Sequence, residues 1–155
     1  MIKKLDKYSY VGGTRYMDHG SRNYEVAGYR LPSVTTILGK TKDDTYLKDW
    51  IKKKGEKEAE RIKNASAVRG TSMHKYLENY VLGKGYEDLT ELGQETKRMA
   101  EKVIEVGLAP VSGYFGSEVT VYYPGLYAGS TDLVGIHNDK ETIIDFKQAN
   151  RPKRE

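Results

Sequence analysis

Residues 143–148 read Ile-Ile-Asp-Phe-Lys-Gln, a stretch in which apolar and charged residues alternate after Ile143. Two apolar side chains, Ile144 and Phe146, alternate here with two charged ones, Asp145 and Lys147. A period of two predicts a β-strand with Ile144 and Phe146 facing a core and the charged pair on the opposite face. Such a pair either forms a lateral ion pair at a surface edge or binds something, and the stretch alone leaves both open.

Further strands are predicted directly before this one. Residues 117–123 alternate with a period of two, and residues 127–136 form an apolar run broken by small residues. A Pro-Gly pair predicts the turn between these strands, and residues 137–139 turn the chain into a last strand over 140–148. We therefore expect an antiparallel β-meander.

Each strand of the meander carries an acid: Glu118, Asp132 and Asp145. Adjacent antiparallel strands can bring these carboxylates together at one end of the sheet, where they repel one another unless a cation lies among them. Oxygen ligands suit Mg²⁺ or Mn²⁺, and Lys147 beside them would supply positive charge to a reacting phosphate or water. For Glu118, a solvated strand residue is an equally open interpretation.

The chain before the meander divides into a β-rich part and a helical part. Residues 8–30 mix Tyr with Gly, Asn and Asp, which predicts a twisted hairpin or irregular strands with polar turns. Ser33 can then cap a short helix that Gly39 ends. Amphipathic helices are expected over 45–54, 56–67, 71–82 and 89–106.

In the first of these helices, Leu47, Trp50 and Ile51 are taken as the apolar face. The lysines at 52–54 are interpreted as a solvated helix face rather than a DNA contact.

These elements predict the α/β class, with a mixed sheet flanked by helices. At about 150 residues per domain, the 155 residues predict a single domain. Within it we distinguish an N-terminal hairpin and short helix over 1–40, a helical part over 41–109 and the meander over 110–150.

Composition excludes several classes of protein. The chain has no Cys, which rules out disulfides, Cys-ligated zinc and an iron–sulfur cluster. No apolar run approaches the roughly 20 residues of a membrane span, so we expect no membrane partner and a cytoplasmic location. The net charge of +4 permits a polyanionic partner without requiring one.

The order of these residues resembles a known family. Gly70 and His74, then Glu118, then Asp132, then Asp-Phe-Lys at 145–147 resemble the RecB-like branch of the PD-(D/E)XK nuclease superfamily.

Two further stretches narrow this resemblance. Leu-Pro-Ser-Val-Thr-Thr-Ile-Leu at 31–38 and residues 50–78 are similar to phage exonucleases and to the mitochondrial genome maintenance exonuclease.

The resemblance implies a restriction-endonuclease-like fold and a Mg²⁺- or Mn²⁺-dependent DNA exonuclease. The implied substrate is single-stranded DNA with a free end. The implied role is in phage DNA replication, recombination or degradation. By the same resemblance, Asp132, Asp145 and the carbonyl of Phe146 hold the metal. Glu118 and His74 match supporting metal-site positions.

Lys147 matches the family's catalytic lysine, which orients or activates the attacking water. Phosphate contacts are expected from basic and hydroxyl groups, although each of these could instead be a capping or solvated side chain. The residues concerned are Ser33, Thr35, Arg69, Thr71, Lys153 and Arg154.

The sequence departs from the family after the Asp-x-Lys strand. The family continues into a helix with a Gln-x-x-x-Tyr motif, whereas here Gln148 is followed four residues later by Pro152. We therefore expect the C-terminal part of the fold to be missing, an apolar face and a strand edge to be uncovered, and the protein to self-associate.

Two other functions remain open. A non-catalytic DNA-binding or assembly module would keep the sheet without turnover. A glycosidase with a carboxylate pair has acids available but leaves Lys147 unexplained.

Overall fold

The computed structural model describes residues 2–149, which divide into two compact units. We call residues 3–42 and 112–145 the sheet unit. Residues 43–111, together with Ile2 and residues 146–149, form the helical unit. The prediction of a single domain stays a prediction.

The strands form a mixed sheet and a small antiparallel sheet. The mixed sheet has the order β1-β5-β6-β7, with β1 parallel to β5 and β6 antiparallel to β7. The small sheet has the order β2-β3-β4 and is antiparallel throughout. The strands are β1 Lys3–Lys4, β2 Gly13–Asp18, β3 Ser21–Val26, β4 Tyr29–Pro32, β5 Val111–Tyr123, β6 Tyr127–His137 and β7 Lys140–Ile144.

This architecture confirms the α/β class and the meander. It also confirms the N-terminal hairpin, in which β2 pairs with β3. The parallel strand β1 was not predicted, because two residues are too few to show a hydrophobic period.

A tight turn connects β6 to β7 and sets their register. Asn138 and Asp139 both have left-handed backbones, with φ of 47° and 62°. Two such residues form a type I′ turn, whose twist matches that of the flanking strands. The register therefore runs from His137 opposite Lys140 to Leu133 opposite Ile144.

The core of the sheet unit lies between strands of both sheets. Phe115 and Leu133 are fully buried on the mixed sheet. A second cluster joins the two sheets and comprises Tyr24, Val26, Leu31 and Ala128, with Tyr122 packed against it.

Helix α1, Val34–Thr41, also belongs to the sheet unit. The Oγ of Ser33 accepts a hydrogen bond from the Thr35 amide at 3.2 Å, which confirms the predicted N-cap. The helix continues two residues past Gly39, so the predicted end was wrong: one glycine inside a helix costs only about 1 kcal/mol.

The helical unit contains α2 Thr45–Lys54, α3 Glu56–Val81 and α4 Glu91–Lys102. A short π-helical segment, Val103–Gly107, follows α4. The predicted bounds of α2 are confirmed. Along residues 2–149, no helix combines the length and apolar character needed to cross a membrane.

Two further predicted bounds were wrong. The helices expected over 56–67 and 71–82 are a single α3, because Gly70 is tolerated within it. The helix expected over 89–106 begins at the Thr90 cap and leaves regular α geometry at Val103.

Candidate functional site

The three predicted acids all lie in the sheet unit. Glu118 lies within β5 and is exposed, and Asp132 lies within β6 and is half-buried. Asp145 is exposed and directly follows the last residue of β7. The last strand was predicted to reach Gln148, but β7 ends at Ile144.

The register of β6 and β7 relates Asp132 to Asp145. The last pair of the ladder is Leu133 opposite Ile144. Asp132 and Asp145 are the next residues beyond this pair, and a ladder one step longer would set them opposite each other, where Cβ atoms of facing residues are normally about 4.5–5.5 Å apart. Like charges directly opposite one another destabilise a strand pair, which gives a physical reason for β7 to end before Asp145.

Glu118 interrupts the regular backbone of β5. Its φ is 51°, a left-handed conformation that a residue with a side chain adopts inside a strand only when its surroundings impose it. Such a residue costs on the order of 1–3 kcal/mol, and strained residues of this kind cluster at functional sites. Burial changes character here as well: residues 113–116 are all buried, and Glu118 is exposed.

The approach of β5 to β6 relates Glu118 to Asp132. A Cβ added at Gly135 would lie 2.5 Å from the Gly113 carbonyl oxygen, so these residues are neighbours across the two strands. Three residues closer to the connecting turn, β6 reaches Asp132 and β5 reaches Gly116. Glu118 therefore lies within a few residues of the position that faces Asp132.

Phe146 and His74 are in contact within the helical unit. Phe146 is only 7% exposed, and its ring centroid lies 6.1 Å from that of His74 in an edge-on arrangement. The Nδ1 of His74 lies 2.7 Å from the Gly70 carbonyl oxygen. Because a carbonyl only accepts, Nδ1 donates, and in a neutral imidazole Nε2 is then the nitrogen with the lone pair.

The alternation of residues 144–147 continues past the end of β7. Ile144 and Phe146 are half-buried and buried, whereas Asp145 and Lys147 are exposed. The predicted division of these side chains between an apolar and a charged face is therefore confirmed, although only the first of them belongs to a strand.

The residues expected to contact phosphate are dispersed. Ser33 is 1% exposed and its hydroxyl shares a hydrogen bond of 2.7 Å with that of exposed Thr35. Arg69 is half-buried on α3, and the hydroxyl of Thr71 donates to the Ala67 carbonyl. The phosphate contacts stay predictions, and those of Lys153 and Arg154 fall outside the described residues.

The donor chemistry of the acid pair fits a hard cation. Mg²⁺ is usually held by one or two carboxylates and retains several waters, so the pair Asp132 and Asp145 suits it in number and type of ligand. Within residues 2–149 there is no group of three or more His, Asp or Glu side chains already arranged around a metal position.

A groove in the helical unit was not assigned to function from the sequence. It is lined by Tyr46, Trp50 and Lys54 of α2 and by Arg61, Ala65 and Arg69 of α3. The sequence contains a sign of this groove, because these lining residues on each helix are spaced four apart and so share one helix face. At helical spacing, however, Trp50 predicts an apolar packing face, and the groove was therefore missed.

Comparison of the sequence with protein-family models and with curated proteins found no match. The relationship to PD-(D/E)XK nucleases therefore stays a prediction that rests on the identity and order of the residues.

Proposed function

We propose that the protein is a divalent-metal-dependent DNA exonuclease that hydrolyses phosphodiester bonds from a free end of a single strand, acting in phage DNA metabolism in the cytoplasm. One observation carries this proposal: the β6–β7 ladder ends at Leu133 opposite Ile144, so Asp132 and Asp145 are the next residues at that end of the hairpin. Carboxylate oxygens are the ligands that a divalent cation such as Mg²⁺ prefers, and two carboxylates at one end of the ladder supply them.

Asp132, Asp145 and the carbonyl of Phe146 are the groups that would hold Mg²⁺ or Mn²⁺. When bound, such an ion supplies Lewis-acid polarisation of the phosphoryl group and makes a water easier to deprotonate. Glu118, on the neighbouring strand, would add a supporting carboxylate. The cost of its left-handed backbone is understandable if its position there serves the site.

Lys147 follows Asp145 by two residues, and both side chains are exposed. Its ammonium group has three N–H donors that can orient a water and stabilise the charge that develops on the phosphoryl oxygens. The chain thus provides the acids and the cation of the proposed site from one short segment and its neighbouring strand.

His74 has the hydrogen bonding expected of an imidazole that supports a metal site. Such imidazoles usually donate one ring N–H to a carbonyl or carboxylate, which fixes the tautomer. The bond from Nδ1 to the Gly70 carbonyl satisfies this requirement.

Cleavage of end-labelled single-stranded DNA tests the proposal. The wild-type chain should release nucleotides with Mg²⁺ or Mn²⁺ and not with EDTA. We expect Asp145→Asn and Lys147→Met each to lower the rate by at least about a hundredfold, the scale of losing one transition-state-stabilising group.

Asp139→Asn is the matched control, because it makes the same change at the far end of the same hairpin, where Asn also tolerates a left-handed backbone. Its rate should equal that of the wild type. Cleavage in EDTA, or an unchanged rate in a folded Asp145→Asn variant, would show the proposal to be wrong. DNA retention with no cleavage under any metal would favour the non-catalytic binding module.

A further inference from the structure

The groove between α2 and α3 is built from two parallel series of side chains. Tyr46, Trp50 and Lys54 lie at positions i, i+4 and i+8 of α2, and therefore on one face of that helix. Arg61, Ala65 and Arg69 have the same spacing on α3. Together they line a cavity of about 640 Å³ that lies wholly within the helical unit.

The aromatic side chains of this groove are displayed rather than used for packing. None of the residues of α2 is buried, and Tyr46 is 85% exposed. Trp50 is half-buried beside it. Flat aromatic faces held at an open groove are the usual platform on which successive bases of a single strand stack.

The charge of the groove favours a polyanion. Its lining includes Lys54, Arg61 and Arg69 and contains no acid. Arg61 is partly neutralised by Glu58, which accepts from it at 2.6 Å and 2.9 Å. Because the guanidinium holds the pKa of Glu58 below its ordinary value, this carboxyl is charged at neutral pH. The groove lining thus carries three basic side chains, and Glu58 offsets part of the charge of one of them.

The length of the groove suits a short stretch of nucleic acid. Eight residues of helix separate Tyr46 from Lys54, and at about 1.5 Å per residue they span roughly 12 Å. Successive nucleotides of a stacked strand are about 3.4 Å apart, so the groove would hold about three or four of them.

We propose that this groove binds a single-stranded polynucleotide, with bases stacked on Tyr46 and Trp50 and phosphates held by Lys54 and Arg69. The interpretation of the lysines at 52–54 as a solvated face is thereby revised for Lys54, which lines the groove. This inference rests on the proposed nuclease function for the nature of the strand, but it concerns binding and can be tested without cleavage.

The only tryptophan of the chain is Trp50, so its fluorescence reports directly on the groove. The Asp145→Asn variant of the 155-residue chain is titrated with oligo(dT) in EDTA, which separates binding from cleavage. We expect quenching by oligo(dT). An abasic oligomer of equal length should bind at least about fivefold more weakly, since each stacked base contributes substantially to affinity. Equal quenching by oligo(U) also supports the groove, because neither stacking nor phosphate contact depends on the sugar.

Variants are compared by anisotropy of a labelled oligo(dT). Tyr46→Leu should weaken binding by at least about fivefold. Lys54→Ala should reduce the slope of log affinity against log salt by about 0.7, the value for one phosphate contact on a single strand. Lys52→Ala, on the other side of α2, is the matched control and should leave the slope nearly unchanged.

Equal affinity for the abasic oligomer, or wild-type affinity in a folded Tyr46→Leu variant, would overturn the inference. The two proposals fail separately. Quenching without any cleavage of DNA by the wild type would support the binding groove and contradict the nuclease proposal. Cleavage with unchanged binding by Tyr46→Leu would do the reverse.

Discussion

Gly135 allows β6 to approach β5 more closely than any residue with a side chain would. The space where its Cβ would lie is 2.5 Å from the Gly113 carbonyl oxygen and 3.3 Å from the Tyr114 Cα. Both are backbone atoms of a paired strand, so they cannot rotate away. Gly129, on the same strand, differs: its nearest neighbour is a Val34 methyl group at 3.6 Å, an ordinary contact distance.

Gly135→Ala should therefore be strongly destabilising, by about 1–3 kcal/mol, because the strands must move apart to relieve the overlap. Gly129→Ala should change the free energy of unfolding by much less. Urea denaturation followed by circular dichroism measures both. Similar midpoints for the two variants would contradict the expected clash.

Some single-residue features can be read from sequence and others cannot. The Ser33 cap follows from a hydroxyl residue placed before a helical pattern, and it is confirmed. The left-handed backbone of Glu118 leaves no such trace, because a glutamate within an alternating run predicts an ordinary strand residue. The conformation is a feature of the folded strand, and no local sequence preference predicts it.

At the scale of elements, two side chains stabilise the start of α4: Thr90 caps the helix, and Asp88 hydrogen-bonds to Thr90. The Oγ of Thr90 caps the helix by accepting from the Gly93 amide at 3.0 Å. Asp88 in turn accepts from the amide and the hydroxyl of Thr90, at 3.0 Å and 2.7 Å. These hydrogen bonds lower the pKa of the Asp88 carboxyl below its ordinary value.

A carboxyl with a lowered pKa in the folded state stabilises the fold above its unfolded pKa, about 3.9, and loses that effect as the pH falls through the folded value. Asp88→Ala should consequently lower the melting temperature at pH 7. The difference from wild type should be smaller at a pH low enough to protonate the wild-type carboxyl too. Asp88→Asn, which keeps an acceptor without the charge, should lie between them at pH 7.

Thermal melts followed by circular dichroism at the two pH values measure these differences. A difference between Asp88→Ala and wild type that is independent of pH would show that the charge of Asp88 does not contribute.

Elements with a clear period were predictable, and their ends were less so. The bounds of α2 are confirmed: its apolar residues recur at helical spacing, and Gly55 follows its last residue. β7 was predicted too long because alternation alone cannot reveal which partner residue a strand will face. Here the residue of β6 next to the last pair is another aspartate, Asp132.

At the scale of the whole molecule, the placement of the three acids in the meander was predictable, because Glu118 and Asp132 stand on its strands and Asp145 directly follows the last one. The groove was not assigned, since Trp50 at helical spacing normally indicates a packed face. Whether an aromatic side chain is packed or displayed depends on what covers the helix, and a local pattern does not contain that information.

Self-association also belongs to this scale. Among the described strands, β7 pairs only with β6 and stands at the end of the mixed sheet. Ile143 on this strand is 70% exposed. An open edge with an exposed apolar side chain is a template for pairing with another copy, and a lysine at such a position blocks it.

We therefore expect the wild type to self-associate at high concentration and Ile143→Lys to do so less. Leu89→Lys replaces an equally apolar residue that is 80% exposed in the helical unit, and it should behave as the wild type. Sedimentation velocity over a range of concentrations measures this. A wild type that remains monomeric throughout would contradict the expectation.

The turn at Asn138 and Asp139 governs more than the local path of the chain. Since side chains alternate between the faces of a strand, a register slip of one residue at this turn would carry every residue of β7 to the other side of the sheet. Surface connections usually tolerate insertions, but this turn fixes the register that ends beside Asp132 and Asp145. An insertion here that shifted the register would thus also change the proposed reaction centre.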